Sequence, residues 1–188
     1  MNTKMKLALV GMVLMAAGTL AGSTPIQLSL TPSIALYDRN QRVEGLTVGV
    51  WSENPQSALA LGIANGSTGH SAGVSLALVL NYADNYKGLQ WALVNYTTGN
   101  FLGWQCGPCL GLPFSAVNYT GGTMKGLQTG VVNYAGHLTG AQIGCVNYAA
   151  TAETGVQIGL VNLIPENSWF TGLPDELAPG MILINWRF

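Results

Sequence analysis

The residues of this chain whose types and spacing best suit chemistry are the thiols of Trp104-Gln105-Cys106-Gly107-Pro108-Cys109. A Cys-x-x-Cys spacing performs dithiol–disulfide exchange when its first thiol sits at a helix N-terminus, where the dipole lowers the thiol pKa. No helical period is legible around Cys106, and Gly103-Trp104-Gln105-Cys106-Gly107 aligns with Gly126-Leu127-Gln128-Thr129-Gly130. The motif therefore reads as one unit of a repeat, interrupted by an insertion before Val117-Asn118. Cys106 and Cys109 flank a Gly-Pro turn and form a possible disulfide in an oxidising compartment. Cys145 occupies a repeat position taken elsewhere by Val131 and Leu160, so it reads as a small apolar side chain. His70 and His137 fall in or near turns, away in sequence from other ligating groups, and no G-x-S-x-G, phosphate-loop or metal-ligand spacing is present. The expectation is a non-enzymatic chain with no catalytic, cofactor or metal residues.

The elements that carry these residues are repeats of the form G-x-Q-x-G-x-V-N-Y, seen at 88–96, 126–134, 140–148 and, ending in Leu, 155–163. Asn118, Asn133, Asn147 and Asn162 are 15, 14 and 15 residues apart. That spacing holds a strand of roughly 9 to 11 residues and a short turn. Turn clusters such as Asn65-Gly66-Ser67 and Thr98-Gly99-Asn100 recur between apolar segments. The segments fall at about 26–37, 43–52, 57–65, 71–82, 86–96, 101–107, 109–119, 124–134, 138–148, 153–163 and 179–188.

Only 8% of residues are charged, with net charge −1 and mean hydropathy +0.31. A soluble domain carries about 25% charged residues, and the charges here are read as lying between the apolar segments. The near-neutral balance gives no reason to expect a nucleic-acid partner. At the N-terminus, Lys4 and Lys6 precede the apolar run Leu7 to Leu20 and the small residues Ala21-Gly22-Ser23. This is the layout of a signal peptide over 1–22, and its apolar run of about fourteen residues is too short for the roughly 20-residue span of a membrane helix. A single domain over 23–188 follows.

Alternation along the repeats puts Leu127, Thr129, Val131 and their equivalents on one face, and Gln128, Gly130, Val132 and theirs on the other. With so little charge, the aliphatic face suits lipid. The expected fold is all-β, an antiparallel up-and-down transmembrane β-barrel of about 10 to 12 strands, with Gln90, Gln128, Gln142 and Gln157 facing its lumen. Tyr82, Tyr96, Tyr119, Tyr134 and Tyr148 would then alternate between the two interfacial rims. The alternative is a β-solenoid, each repeat one rung, in which the asparagines stack directly on one another.

The chain ends on the alternating series Ile182, Ile184, Trp186, Phe188, which resembles the terminal-strand signal for insertion of bacterial outer-membrane barrels. Taken with the G-x-Q-x-G-x-V-N units and the export signal, the chain resembles a family of repeat-containing surface proteins of Gram-negative-type bacteria, similar to small outer-membrane β-barrel proteins. The resemblance implies a cell outer-membrane location, with the lipid bilayer and the outer-membrane assembly machinery as partners. It carries over no catalytic residue. The functional expectation is a structural surface protein, with a surface-attached solenoid binding module or a narrow solute channel as alternatives.

Overall fold

The computed structural model describes residues 22–109, 112–113 and 115–188, so the expected signal peptide lies almost wholly outside the described residues. The elements are β1 (Ser23–Thr31), β2 (Ile34–Ala35), β3 (Arg42–Asn54), β4 (Gln56–Trp91), β5 (Val94–Thr97), β6 (Phe101–Cys106), β7 (Pro108–Cys109), β8 (Leu112–Pro113), β9 (Ser115–Leu163) and β10 (Gly180–Arg187). None of the described residues is helical, as the all-β expectation requires.

The pairing direction departs from the up-and-down barrel. β1 lies parallel to β3, and β3 lies parallel to the start of β4, Leu46 beside Leu59 and Trp51 beside Ala64. The end of β4 pairs in parallel with β5 and β6, Asn81 beside Asn95 and Gly88 beside Gly103. β5 and β6 in turn lie parallel to the first part of β9, Asn95 beside Asn118 and Gln105 beside Gln128. Each repeat therefore sits on the one before it in the same direction, as one rung on another. This is the pairing of the solenoid alternative, and it corrects the antiparallel neighbours expected of a barrel. The long β4 and β9 are several rungs run together, which is why counting eleven barrel strands does not match the elements.

Homotypic stacking is the reason for this direction. A parallel, in-register stack places residue n of one repeat beside residue n of the next, so a repeated Gln or Asn meets its own kind and bonds to it. The glycines opening the units at 88, 103, 126 and 140 are required by the backbone, whereas Gly155 meets only side-chain atoms. Gly140 has φ +134° and lies so close to the preceding rung that an added Cβ would stand 2.1 Å from the Gly126 carbonyl oxygen. Gly88, Gly103 and Gly126 make the same approach at φ between 128° and 135°, a region L side chains rarely enter.

The expected insertion is a short antiparallel hairpin, β7 with β8, pairing Pro108 with Pro113 and Cys109 with Leu112. It lengthens the offset between stacked asparagines to 23 residues at Asn95–Asn118, against 15 at Asn118–Asn133. Inside the rungs an apolar cluster of Tyr86, Phe101, Met124, Leu138, Ala152, Ala83, Ala135, Ala149 and Ile164 fills one part of the cross-section. Full burial of each of the large members contributes about 1.5–3 kcal/mol. The last rung is covered by β10, which runs antiparallel to the end of β9, Trp186 opposite Val156. Its expected alternation breaks at Leu183, where φ is +68° and the register shifts. Ile182, Leu183 and Ile184 are consequently all exposed, as is Phe188. The half-buried Trp186 donates its Nε1 proton to the Pro174 carbonyl.

Candidate functional site

Two amide ladders run through the rung interior. Asn81, Asn95, Asn118, Asn133, Asn147 and Asn162 are fully buried, and each of the first five donates from Nδ2 to the Oδ1 of the next at 2.8–3.0 Å. The second proton of Asn118, Asn133 and Asn147 goes to a corner carbonyl of the following rung, Thr129, Ile143 and Ile158, each at 3.0 Å. The glutamine ladder runs the other way. Gln105, Gln128, Gln142 and Gln157 donate to the Oε1 of the preceding glutamine at 2.8–3.0 Å. Gln128, Gln142 and Gln157 also bond to the carbonyl oxygen six residues on, each at 3.1 Å. Gln90, Gln128, Gln142 and Gln157 thus lie inside the chain as structural spines, with at most 1% of their surface exposed. A buried amide with both protons and its oxygen bonded costs little, whereas each unmet group would cost about 1–3 kcal/mol.

The strict two-residue alternation fails between the two ladders. Gly130 and Asn133 are buried while Val132 is exposed; Val146 and Val161 repeat the pattern. The valine preceding each asparagine was expected to point inward and points outward. The chain turns a corner there, presenting two successive side chains to the outside and then returning the asparagine to the interior, where its protons satisfy the corner carbonyls. At this corner stand Cys145 and Val146, and Leu160 and Val161, all exposed; before Asn81 the corner holds one residue more, with Leu78 and Val79 exposed and Leu80 half-buried. Leu78 and Leu160 retain 60% and 65% of their surface.

On either side of the corner the outside stays apolar. Val48, Leu59, Trp104 and Ile158 are exposed on the side that precedes it, and Ile184 of β10 continues this wall beside Ile158. Beyond the corner the tyrosines form a continuous stack: Tyr96–Tyr119 and Tyr119–Tyr134 at 4.8 Å between centroids, Tyr134–Tyr148 at 5.3 Å, with interplanar angles of 6–12°. Those distances match the ~4.8 Å separation of paired strands. The expected alternation between two rims is therefore replaced by one row on one side. Because the ring faces cover each other, the row offers the outside ring edges and hydroxyls. Tyr82 leaves the stack: it accepts from Trp51 Nε1 at 2.9 Å and donates to Glu53 at 2.6 Å, and Glu53 also pairs with Arg39. Burial, followed by the Glu53 hydrogen bond, raises its phenol pKa above the usual range.

Polar residues collect at the opposite turn. Lys87 and Lys125 are exposed within the rungs, contrary to the expected confinement of charge to connections, and neither has an ion-pair partner among the described residues. They line a groove of about 560 Å³ with His70, Asn85, Asn100 and Thr123. Stacking also brings His137 within 2.8 Å of Thr151 Oγ1 and 3.9 Å of Glu153, neighbours invisible in the linear sequence.

The thiols take no part in this surface except at Cys145. Cys106 is free and buried, with its pKa pushed up to about 11 by burial, which is opposite to the activation dithiol exchange needs. The side chain of Cys109, the other half of the possible Cys106–Cys109 bridge, lies outside the described residues. Among the described residues, no three His, Cys, Asp or Glu side chains gather to hold a metal. Tests against family models, curated proteins and solved structures gave no match to this chain.

Proposed function

We propose that this protein is an exported, non-enzymatic β-solenoid of the cell envelope that works as a binding module through its outer apolar wall. The observation that carries the reading is the division of the outside into a continuous apolar corner with its flanks and a polar turn opposite. A free-standing soluble solenoid has no reason to keep Leu78, Leu160, Ile63 and Val50 exposed in one column, since patches beyond a few hundred Å² mark interaction surfaces. The amide spines make the module rigid, so the wall is presented without reorganisation on binding. β10 acts here as a cover for the last rung, a role distinct from an assembly signal read by barrel-inserting machinery.

Expression of the full chain in a Gram-negative host, followed by fractionation, tests the reading. The protein should be recovered with the envelope and be stripped from it by alkaline carbonate, as a surface-bound protein is and an integral barrel is not. Recovery as a freely soluble periplasmic protein sinks the binding reading. Retention through carbonate washing would restore the barrel.

A further inference from the structure

The polar turn carries a second site, independent of what covers the apolar wall. Its groove draws on equivalent positions of four rungs, at 70–72, 85–87, 100–102 and 123–125, with Tyr86 beside Phe101 and Phe101 beside Met124. Because these middle residues are buried, their neighbours on either side stand outward as two rows along the stack. Three steps of ~4.8 Å make each row about 14 Å long. One row holds His70, Asn85, Asn100 and Thr123. Asn85 Oδ1 accepts the Asn100 N–H at 2.9 Å and Asn100 Oδ1 accepts the Thr123 N–H at 2.8 Å, so each amide keeps its protons for a ligand. The other row holds Ala72, Lys87, Leu102 and Lys125. Among the described residues the lining includes no carboxylate, and the acids around it are engaged: Asp84 accepts the Gly69 N–H at 2.7 Å and Glu44 pairs with Arg42 at 3.3 Å.

The spacing of charge selects the ligand. Lys87 and Lys125 flank Leu102 on successive rungs, which sets their Cα atoms about 10 Å apart. A nucleic-acid strand carries a phosphate about every 3.4 Å and would press unpaired charge onto Leu102, which is 40% exposed. A neutral glycan would leave both ammonium groups unused. Trp104 lies two residues beyond Leu102, exposed on the same outward face, with its Nε1 proton held by Thr129 Oγ1 at 3.0 Å. Its indole offers apolar surface that suits the C–H face of a sugar ring. We propose that this groove binds an extended glycan in which acidic and neutral sugars alternate. Successive carboxylates meet Lys87 and Lys125, the neutral sugar between them rests on Leu102 and Trp104, and its hydroxyls accept from the Asn85 and Asn100 amides.

Calorimetric titration of the intact mature chain with hyaluronan oligosaccharides, which carry a carboxylate on every second sugar, tests this against dextran, polygalacturonate and single-stranded DNA. The expected order is hyaluronan first, polygalacturonate and DNA weaker, and dextran silent, with hyaluronan binding weakened by added salt. Lys87→Gln and Lys125→Gln should each lower hyaluronan affinity about fivefold, the upper range for an exposed charge pair, with thermal melts unchanged. Leu102→Lys fills the neutral gap and should reverse the preference in favour of polygalacturonate. Lysine variants that bind as wild type does overturn the groove, as does an absence of binding to all of the probes. Dextran binding equal to hyaluronan overturns the acidic assignment. DNA binding tighter than hyaluronan overturns the glycan, and an unaltered preference in Leu102→Lys overturns the alternation.

Discussion

Asn133 is the position at which the amide-spine argument is most exposed to experiment. Its side chain accepts from Asn118 Nδ2 at 2.8 Å and donates to Asn147 Oδ1 at 2.8 Å and to the Ile143 carbonyl at 3.0 Å. In Asn133→Ala, Asn118 keeps its bond to the Thr129 carbonyl, but the buried Asn147 Oδ1 loses the neighbour that donates to it. An orphaned buried acceptor costs about 1–3 kcal/mol and each of the three lost bonds a net ~1 kcal/mol, a total of about 4–6 kcal/mol. For a domain of this size, at about 2–4 °C per kcal/mol, the melting temperature should fall by about 8–24 °C. Asn133→Asp sharpens the test, because the shape is kept while both protons are lost. At neutral pH its carboxylate would face the Asn147 oxygen and the Ile143 carbonyl, two acceptors, in a dry interior. Desolvation and those acceptors raise the folded-state pKa above the unfolded value of about 3.9. The penalty is then absent below about pH 4 and grows as the pH rises toward the folded pKa. At pH 7 the order of melting temperature should be wild type, Ala, Asp; near pH 3.5 Asp should recover relative to Ala. Calorimetry at both pH values reads this directly. Melting within about 2 °C of wild type for Ala, or an Asp variant indifferent to pH, would refute the spine.

Gly140→Ala should cost about 3 kcal/mol or more, since it adds backbone strain to a clash with a carbonyl. Gly155→Ala should cost under about 2 kcal/mol, because its nearest neighbour is the terminal methyl of Leu138 at 3.0 Å, with no backbone atom as near; denaturant melts showing equal loss would dismiss the close-approach argument. Tyr134→Ala removes two ring contacts at about 0.5–1.5 kcal/mol each, whereas Tyr134→Phe should melt as wild type does; if Phe is as harmful as Ala, the hydroxyl and not the stack matters. In a Cys109→Ser background, an alkylating probe at pH 8 should modify the exposed Cys145 rapidly and the buried Cys106 slowly, as peptide mapping of the labelled sites would show. The Ser168 backbone N–H, with Arg187 nearby, holds the Glu176 carboxyl below its ordinary range. The contribution of Glu176 to the β10 cover is therefore present above the unfolded carboxylate pKa and is lost as the pH falls through the lower folded value. Faster hydrogen exchange in β10 than in β9 upon acidification would show this, and uniform exchange would contradict it.

How the sequence led toward a barrel, and what in it already opposed one, turns on the direction in which the repeat is read. The one-strand period, the inward glutamines and the insertion before Val117-Asn118 are all legible from G-x-Q-x-G-x-V-N-Y alone. The low charge then argued for lipid around a closed barrel, yet it is equally satisfied by one apolar corner on a parallel coil. The discriminating signal is that every unit runs Gly, Gln, Asn, Tyr in the same order from N to C. In an up-and-down barrel, consecutive strands run in opposite directions, so the glutamine end of one unit would lie beside the Asn-Tyr end of the next, and like residues would never meet. A repeat whose period is a single strand gains nothing there. On parallel rungs it places Gln142 on Gln128 and Tyr148 on Tyr134. What the repeat could not disclose is the corner. Its two outward residues look like a phase slip in a period-two pattern, and only the asparagine's bonds to the next rung's carbonyl, as from Asn133 to Ile143, explain why the chain can turn there without stranding its backbone. The residues that define the apolar edge are consequently the ones the alternation misassigned: Val132, Val146 and Val161 face outward because the asparagine after each must face in.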